Sequence, residues 1–272
     1  MSASQTYRLG FIGAGKLAGS VIRGLMRAKF CAPGEIIASE PNEQTRTALE
    51  KETGVSTTAE NAKVAEKAAV IFVGVKPPMV VPVVAELKDK LQDKLVISLA
   101  GGVRIASMEK TGNARFMRAL TNTPSAICRA ATGITRGSRS TSDDVDLAKK
   151  IFGAIGVVIE VNEEQLDIVT ALSGSGPAFV YAIIDALANG GTKLGLDESL
   201  SNQLAIQTVL GAAELMRESK MSAEDLIKMV VTPGGTTAAG LAVMEKMKTR
   251  ESLIAAVETA TKRGQEMAKE NS

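Results

Sequence analysis

The chain has no histidine and no tryptophan, two tyrosines (Tyr7 and Tyr181), two cysteines (Cys31 and Cys128) and 8 prolines in 272 residues. Without an imidazole there is no histidine general acid or base, no Ser-His-Asp triad, no Cys-His dyad and no histidine-containing metal site. Two thiols cannot build a four-thiolate zinc site either, so no metal is expected. The cysteines stand far apart, and Met1–Thr6 does not read as a secretory leader. They form neither a disulfide framework nor a redox motif, and a reducing, cytoplasmic setting is expected. Neither has an evident base beside it, so both read as buried small residues rather than nucleophiles. No apolar run approaches the 18 or more residues of a membrane span; the longest, Ala68 to Val75, is strand-sized. A net charge of +2 and 3% aromatic residues leave no basic stripe and few stacking platforms. The expected partner is a small molecule, with no nucleic acid and no membrane.

What is present divides into two kinds of pattern. The first half alternates short β-rich runs with helical periodicity: Arg8–Ile12, Glu35–Ser39, Ala69–Val75, Leu95–Leu99, Arg115–Leu120 and Gly156–Val161. Strands separated by whole helices need crossover connections, which predicts a doubly wound parallel sheet covered on both faces. From Asn162 the β-branched runs stop and helices follow, rich in alanine and glycine. The expected division is a dinucleotide-binding domain over residues 1–161 and an all-α domain over 162–272. Several of those helices are apolar on more than one side, more than a lone bundle can bury, so a homodimer or higher oligomer is expected through this half.

Six glycine-rich or strand-end segments carry the chemistry. Gly13-Ala14-Gly15-Lys16-Leu17-Ala18 follows the first strand and opens a helix. Gly13 permits a tight turn, Gly15 admits a pyrophosphate, small Ala18 allows close packing, and the helix N-terminus faces the anion. A glycine turn without ligand has the same local pattern, but its place after strand one favours dinucleotide binding. At the end of the second strand, Glu40 following Ser39 would accept hydrogen bonds from the ribose hydroxyls of NAD and repel a 2′-phosphate. That leans toward NADH over NADPH; the alternative is a solvent-facing Glu40, with Ser39 and nearby amides holding the phosphate. Gly74-Val75-Lys76-Pro77 ends the third predicted strand and places Lys76 at the cofactor crevice, while Ala100-Gly101-Gly102 ends the fourth with room for the nicotinamide ribose. In the helical half, Ala171–Ala178 and Thr232–Thr237 each read as a glycine-rich turn entering a helix, with free backbone N–H groups and hydroxyls suited to a carboxylate. Each is also compatible with an ordinary cap.

Together these segments resemble the pyrroline-5-carboxylate reductase family, in order and spacing, from about Leu9 to the last helix. The resemblance rests on Gly10–Gly15, Val75-Lys76-Pro77, Thr121-Asn122-Thr123-Pro124, Leu172–Ala178 and Pro233-Gly234-Gly235-Thr236-Thr237. It implies a Rossmann domain, a helical domain that interlocks with a second subunit, and a dimer able to assemble into a decamer. It further implies that the cofactor is held by Ile12, Gly13, Ala14, Gly15, Lys16 and Leu17, by Asn61, by Gly74, Val75, Lys76 and Pro77, and by Ala100, Gly101 and Gly102; the strand-two position varies across the family, so Ser39 and Glu40 rest on the residues alone. The implied substrate residues are Ser175, Gly234, Gly235, Thr236 and Thr237, with Thr237 bonding the ring nitrogen. Thr237 and Lys76 are the candidate catalytic residues. The implied reaction moves hydride from NADH or NADPH to the imine carbon of 1-pyrroline-5-carboxylate, giving L-proline in a dry cleft between domains. A protonated imine is already electrophilic, so a site without histidine suffices. A β-hydroxyacid dehydrogenase would place a general-acid lysine on the helix after the glycine-rich turn, and Gly176–Ile183 has none. A non-catalytic nucleotide-sensing protein is the other alternative; Lys76, Ser175 and Thr237 give it no support.

Overall fold

A computed structural model describes residues 7–271. Eight strands form one sheet: β1 (Tyr7–Ile12), β2 (Ile36–Ser39), β3 (Ser56–Thr58), β4 (Ala68–Val73), β5 (Leu95–Ser98), β6 (Arg115–Leu120), β7 (Ala130–Arg136) and β8 (Gly156–Glu160). Their order is β3-β2-β1-β4-β5-β6-β7-β8. The expected α/β, doubly wound architecture is present, and central strands such as Ala-Ala-Val-Ile-Phe-Val in β4 are nearly all apolar because helices cover both faces.

The sheet departs from the all-parallel expectation at one place. β7 runs antiparallel to β6, with Leu120 opposite Gly133, and then parallel to β8. The chain between β6 and β7 holds only a short 3₁₀ turn, Thr123–Ile127, too little for the crossover that a parallel neighbour requires. Neither β3 nor β7 stands out in the sequence: β3 is Ser-Thr-Thr and β7 mixes alanine, threonine and glycine. Pairing, not propensity, makes them strands.

Two cores flank the sheet. On one face Phe11 stacks on Phe72 with centroids 4.6 Å apart, and Phe152 meets Phe72 edge-on at 6.0 Å. On the other, Ile12, Ile71, Val73, Val96 and Phe116 pack beneath Val64, Val80 and Met108.

By compactness the chain forms two units, one reaching Ser175 and including Glu258 onward, the other Gly176–Val257. The first helical turns after β8 belong to the sheet's unit for a packing reason. Leu166 is fully buried, and a Cβ on Gly133 of β7 would fall 2.8 Å from Val169 Cγ1. Two ion pairs tie this segment down: Arg104 to Asp167 at 2.6 Å and Arg118 to Glu163 at 3.0 Å. Burial pulls the pKa of Arg118 down, and the hydrogen bond it donates to Glu163 opposes that shift.

The second unit contains the helices Gly176–Lys193, Glu198–Ser219, Ala223–Val230 and Thr236–Lys246. Asp197 caps the second by accepting from the N–H groups of Ser199 and Leu200, and Ser222 caps the third by accepting from Asp225 N–H. Leu187, Leu204 and Met229 stand exposed on these helices, and Leu194 and Met247 just past the ends of the first and fourth. The expectation that no segment is long and apolar enough to span a membrane needs correction. The helical residues Glu163–Lys193 meet that standard by length and composition, although interspersed serine, threonine and glycine leave no long unbroken apolar run.

Candidate active site

The cofactor segments are gathered at the carboxyl ends of the parallel strands by a short series of backbone bonds. Gly13 and Ala14 N–H both donate to the carbonyl of Ser39, at 3.0 and 2.9 Å; Gly74 N–H donates to Ile12 O at 2.8 Å, and Leu99 N–H to Val73 O at 2.9 Å. The loops after β1, β2, β4 and β5 therefore line one rim, where ligands of open α/β sheets bind.

Each glycine on this rim has a separate reason. Gly13 has φ +84°, and a Cβ there would lie 2.7 Å from Val75 Cγ1 and 2.9 Å from Val75 N. Gly15 caps the helix Lys16–Arg27 with no side chain, and a Cβ there would meet nothing within 4 Å. Open space plus the unpaired N–H groups of a first helical turn fit a pyrophosphate. A Cβ on Gly74 would come within 2.8 Å of the Ala18 methyl, which is the close packing that the small residue at position 18 permits.

At the end of β2, Ser39 Oγ donates to Asn61 Oδ1 at 2.7 Å. Asn61 opens a helix of 7 residues, Asn61–Lys67, whose far end is held by the Lys94 ammonium donating to the carbonyls of Ala65 and Ala68. Glu40 N–H donates to Thr58 O at 3.1 Å, and the Glu40 carboxylate accepts from Asn42 N–H at 3.1 Å. Arg46, one helical turn further on, brings its guanidinium back to the carbonyl of Glu40, to which it donates at 2.7 Å. Helical periodicity from the cap Asn42 was the available signal.

Lys76 is exposed and caps the helix Pro77–Glu86, whose first two residues are prolines without N–H groups. Ala100 N–H donates to Ser98 Oγ at 3.3 Å, and Gly102 has φ +66°.

The segment before Ser175 is not the glycine-rich turn expected. Thr170–Gly174 is a π-helix continuing directly from the helix Leu166–Val169, and Ser175 N–H donates to Thr170 O at 2.8 Å. That backbone donor is occupied. The hydroxyls of Thr170 and Ser173 turn back to Leu166 O and Val169 O. Ser175 Oγ makes no hydrogen bond among the described residues, so the hydroxyl rather than the amide is what this residue offers.

Pro233–Gly235 is a true turn leading into a helix at Thr236. Gly234 has φ +71°, and a Cβ on Gly235 would strike Thr232 Oγ1 at 2.3 Å. Gly235 caps the helix Thr236–Lys246 without a side-chain acceptor, so the first N–H groups stay open to an anion. Among the described residues the Thr237 hydroxyl has no hydrogen-bond partner, and Thr237 is half-buried. The two cysteines are half-buried rather than buried, and burial raises the Cys31 thiol pKa.

Comparison with known proteins agrees in both halves. The family described as pyrroline-5-carboxylate reductase dimerisation matches residues 163–267, and that described as NADP oxidoreductase, coenzyme F420-dependent, matches residues 8–102. A pyrroline-5-carboxylate reductase of Pisum sativum is 39% identical over 97% of both chains. The structure of a pyrroline carboxylate reductase from Plasmodium falciparum, with NADP bound, matches with TM-score 0.89 at 29% identity, over 98% of this chain and 100% of that one. One from Coxiella burnetii matches with TM-score 0.86 at 37% identity, over 97% and 99%. The doubly wound sheet with its glycine-lined rim defines an NAD(P)-dependent oxidoreductase carrying a helical dimerisation region. The chain belongs to the pyrroline-5-carboxylate reductase family.

Proposed function

We propose that the chain reduces 1-pyrroline-5-carboxylate to L-proline with NAD(P)H, and that residues 1–161 act as its dinucleotide-binding domain and 162–272 as its substrate-binding and dimerisation domain. The observation that carries this reading is the pairing of two uncapped helix N-termini in one chain, at Gly15 and at Gly235. Each is shaped for an anion, one by the open space at Gly15 and one by the positive φ of Gly234.

When bound, the cofactor supplies the hydride. The amides of Gly15, Lys16 and Leu17 at the helix start hold its pyrophosphate; Ser39, Glu40 and Asn61 hold the adenosine ribose; Gly74–Pro77 and Ala100–Gly102 line the nicotinamide side. Lys76 contributes an exposed ammonium at this rim. The N–H groups of Thr236 and Thr237 receive the substrate carboxylate, Ser175 offers its hydroxyl, and the free hydroxyl of Thr237 orients the ring nitrogen and relays its proton. No strong acid is required, because an iminium accepts hydride without creating an alkoxide. Glu40 favours NADH over NADPH by opposing a 2′-phosphate. The working form is a cytoplasmic homodimer that stacks into a decamer. The exposed apolar side chains of the helical unit support the dimer.

The test is an assay of purified protein with pyrroline carboxylate and each reduced nicotinamide, proline being measured directly, alongside light scattering. Cofactor binding without proline formation, or a monomer at micromolar concentration, refutes the respective part.

A further inference from the structure

We propose that Asn122 is a positioning residue for the substrate, acting through the π-helical turn that presents Ser175; this rests on the reading of Ser175 given above. The argument begins with Pro177. In a regular helix the carbonyl of Ser173 would accept from the N–H four residues later, and a proline there has none. A half-buried carbonyl left without a donor destabilises the turn that carries it.

Asn122 supplies the missing donor. Its Nδ2 donates to Ser173 O at 3.0 Å, across 51 residues of sequence. Its Oδ1 accepts from Ala131 N–H at 3.2 Å. Asn122 is 7% exposed, and both bonds are partly buried. One carboxamide thus joins the end of β6, the start of β7 and the π-turn, and neither a carboxylate nor an alkyl group can make both bonds.

The π-turn is what makes this matter for the substrate. One extra residue in a helical turn rotates everything after it by about 100° relative to a regular helix. Ser175 follows immediately, its N–H spent on Thr170 O and its hydroxyl free. Holding Ser173 O fixes the wide turn, and the wide turn fixes the direction in which Ser175 Oγ points. Asn122 touches neither substrate nor cofactor in this scheme.

Asn122→Asp separates this role from general stability. The carboxylate still accepts from Ala131 N–H, but it turns an acceptor toward Ser173 O. The expected result is a folded enzyme whose KM for pyrroline carboxylate rises about tenfold, with the Kd for reduced nicotinamide within about twofold of the parent. Should the charge unfold the chain, Asn122→Ser, smaller and neutral, carries the same expectation. An unchanged KM in a folded variant, when Ser175→Ala does raise KM, overturns the role of Asn122 alone. An unchanged KM in Ser175→Ala overturns the Ser175 reading and this inference with it.

Discussion

Asn271 and Gly102 are joined across 169 residues: the Asn271 Nδ2 donates to the Gly102 carbonyl at 3.1 Å, and also to Met267 O at 2.7 Å. The end of the chain is thereby fastened to the small-residue loop that follows β5. Gly102 fits there only as glycine, because a Cβ would lie 2.7 Å from Met267 Cβ and its φ is +66°. Gly102→Ala should therefore lower unfolding stability by about 1–3 kcal/mol, and Asn271→Ala by about 1 kcal/mol, measured by urea titration. Equal stability of Gly102→Ala and the parent would contradict the close approach.

Gly13 and Gly15 should respond differently to the same methyl group. Gly15→Ala meets empty space at φ −66°, so stability holds while the Kd for NADH rises at least about tenfold through loss of anion approach. Gly13→Ala collides with Val75 and should lose both stability and binding. Fluorescence titration and thermal melts on the two variants measure the split; similar melts for both would count against it.

Thr237→Ala removes a hydroxyl that has no partner among the described residues, so folding should be spared. Turnover should fall at least about tenfold, with a smaller change in NAD(P)H affinity. An unchanged kcat would remove Thr237 from the mechanism.

Glu40 should set the cofactor ratio. Parent enzyme is expected to show higher kcat/KM with NADH, and Glu40→Gln to shift the ratio toward NADPH by about tenfold or less, as loss of one partly solvated charge allows. A parent that clearly prefers NADPH refutes the role of Glu40 and directs attention to Arg46.

Acid stability should depend on Asp144. Burial raises its pKa, but hydrogen bonds from Arg115 and Thr141 outweigh that, and the net shift is downward from the ordinary value of 3.8. A carboxylate with a depressed folded pKa contributes stability that is fully present above its unfolded pKa and is lost as pH falls through the folded value. The melting-temperature advantage of the parent over Asp144→Asn should thus be constant near neutrality and shrink below about pH 4. A constant difference down to pH 2 would exclude the linkage.

The glycine and proline positions were readable from composition and order, because each answers a local demand: a positive φ at Gly13 and Gly234, a helix start at Pro77. The π-turn was not readable. Ala171–Ala178 has the residues of a turn, yet chain continuity with the helix before it and the bond from Asn122 keep it helical. The direction of β7 was equally hidden, since it depends on the length of its connection and on pairing with β6 and β8.

Local chemistry thus specified an α/β nucleotide-binding half, a helical half, the absence of histidine and the glycines of both helix starts that lack a side-chain cap. These follow from backbone conformation and periodicity, which neighbours in the chain impose. Only tertiary packing decided that Ser175 offers a hydroxyl instead of an amide, that Arg46 returns to the carbonyl of Glu40, and that Asn122 answers the carbonyl orphaned by Pro177. Those outcomes depend on donors and acceptors distant in sequence, and a buried polar group must find its partner wherever the fold brings one.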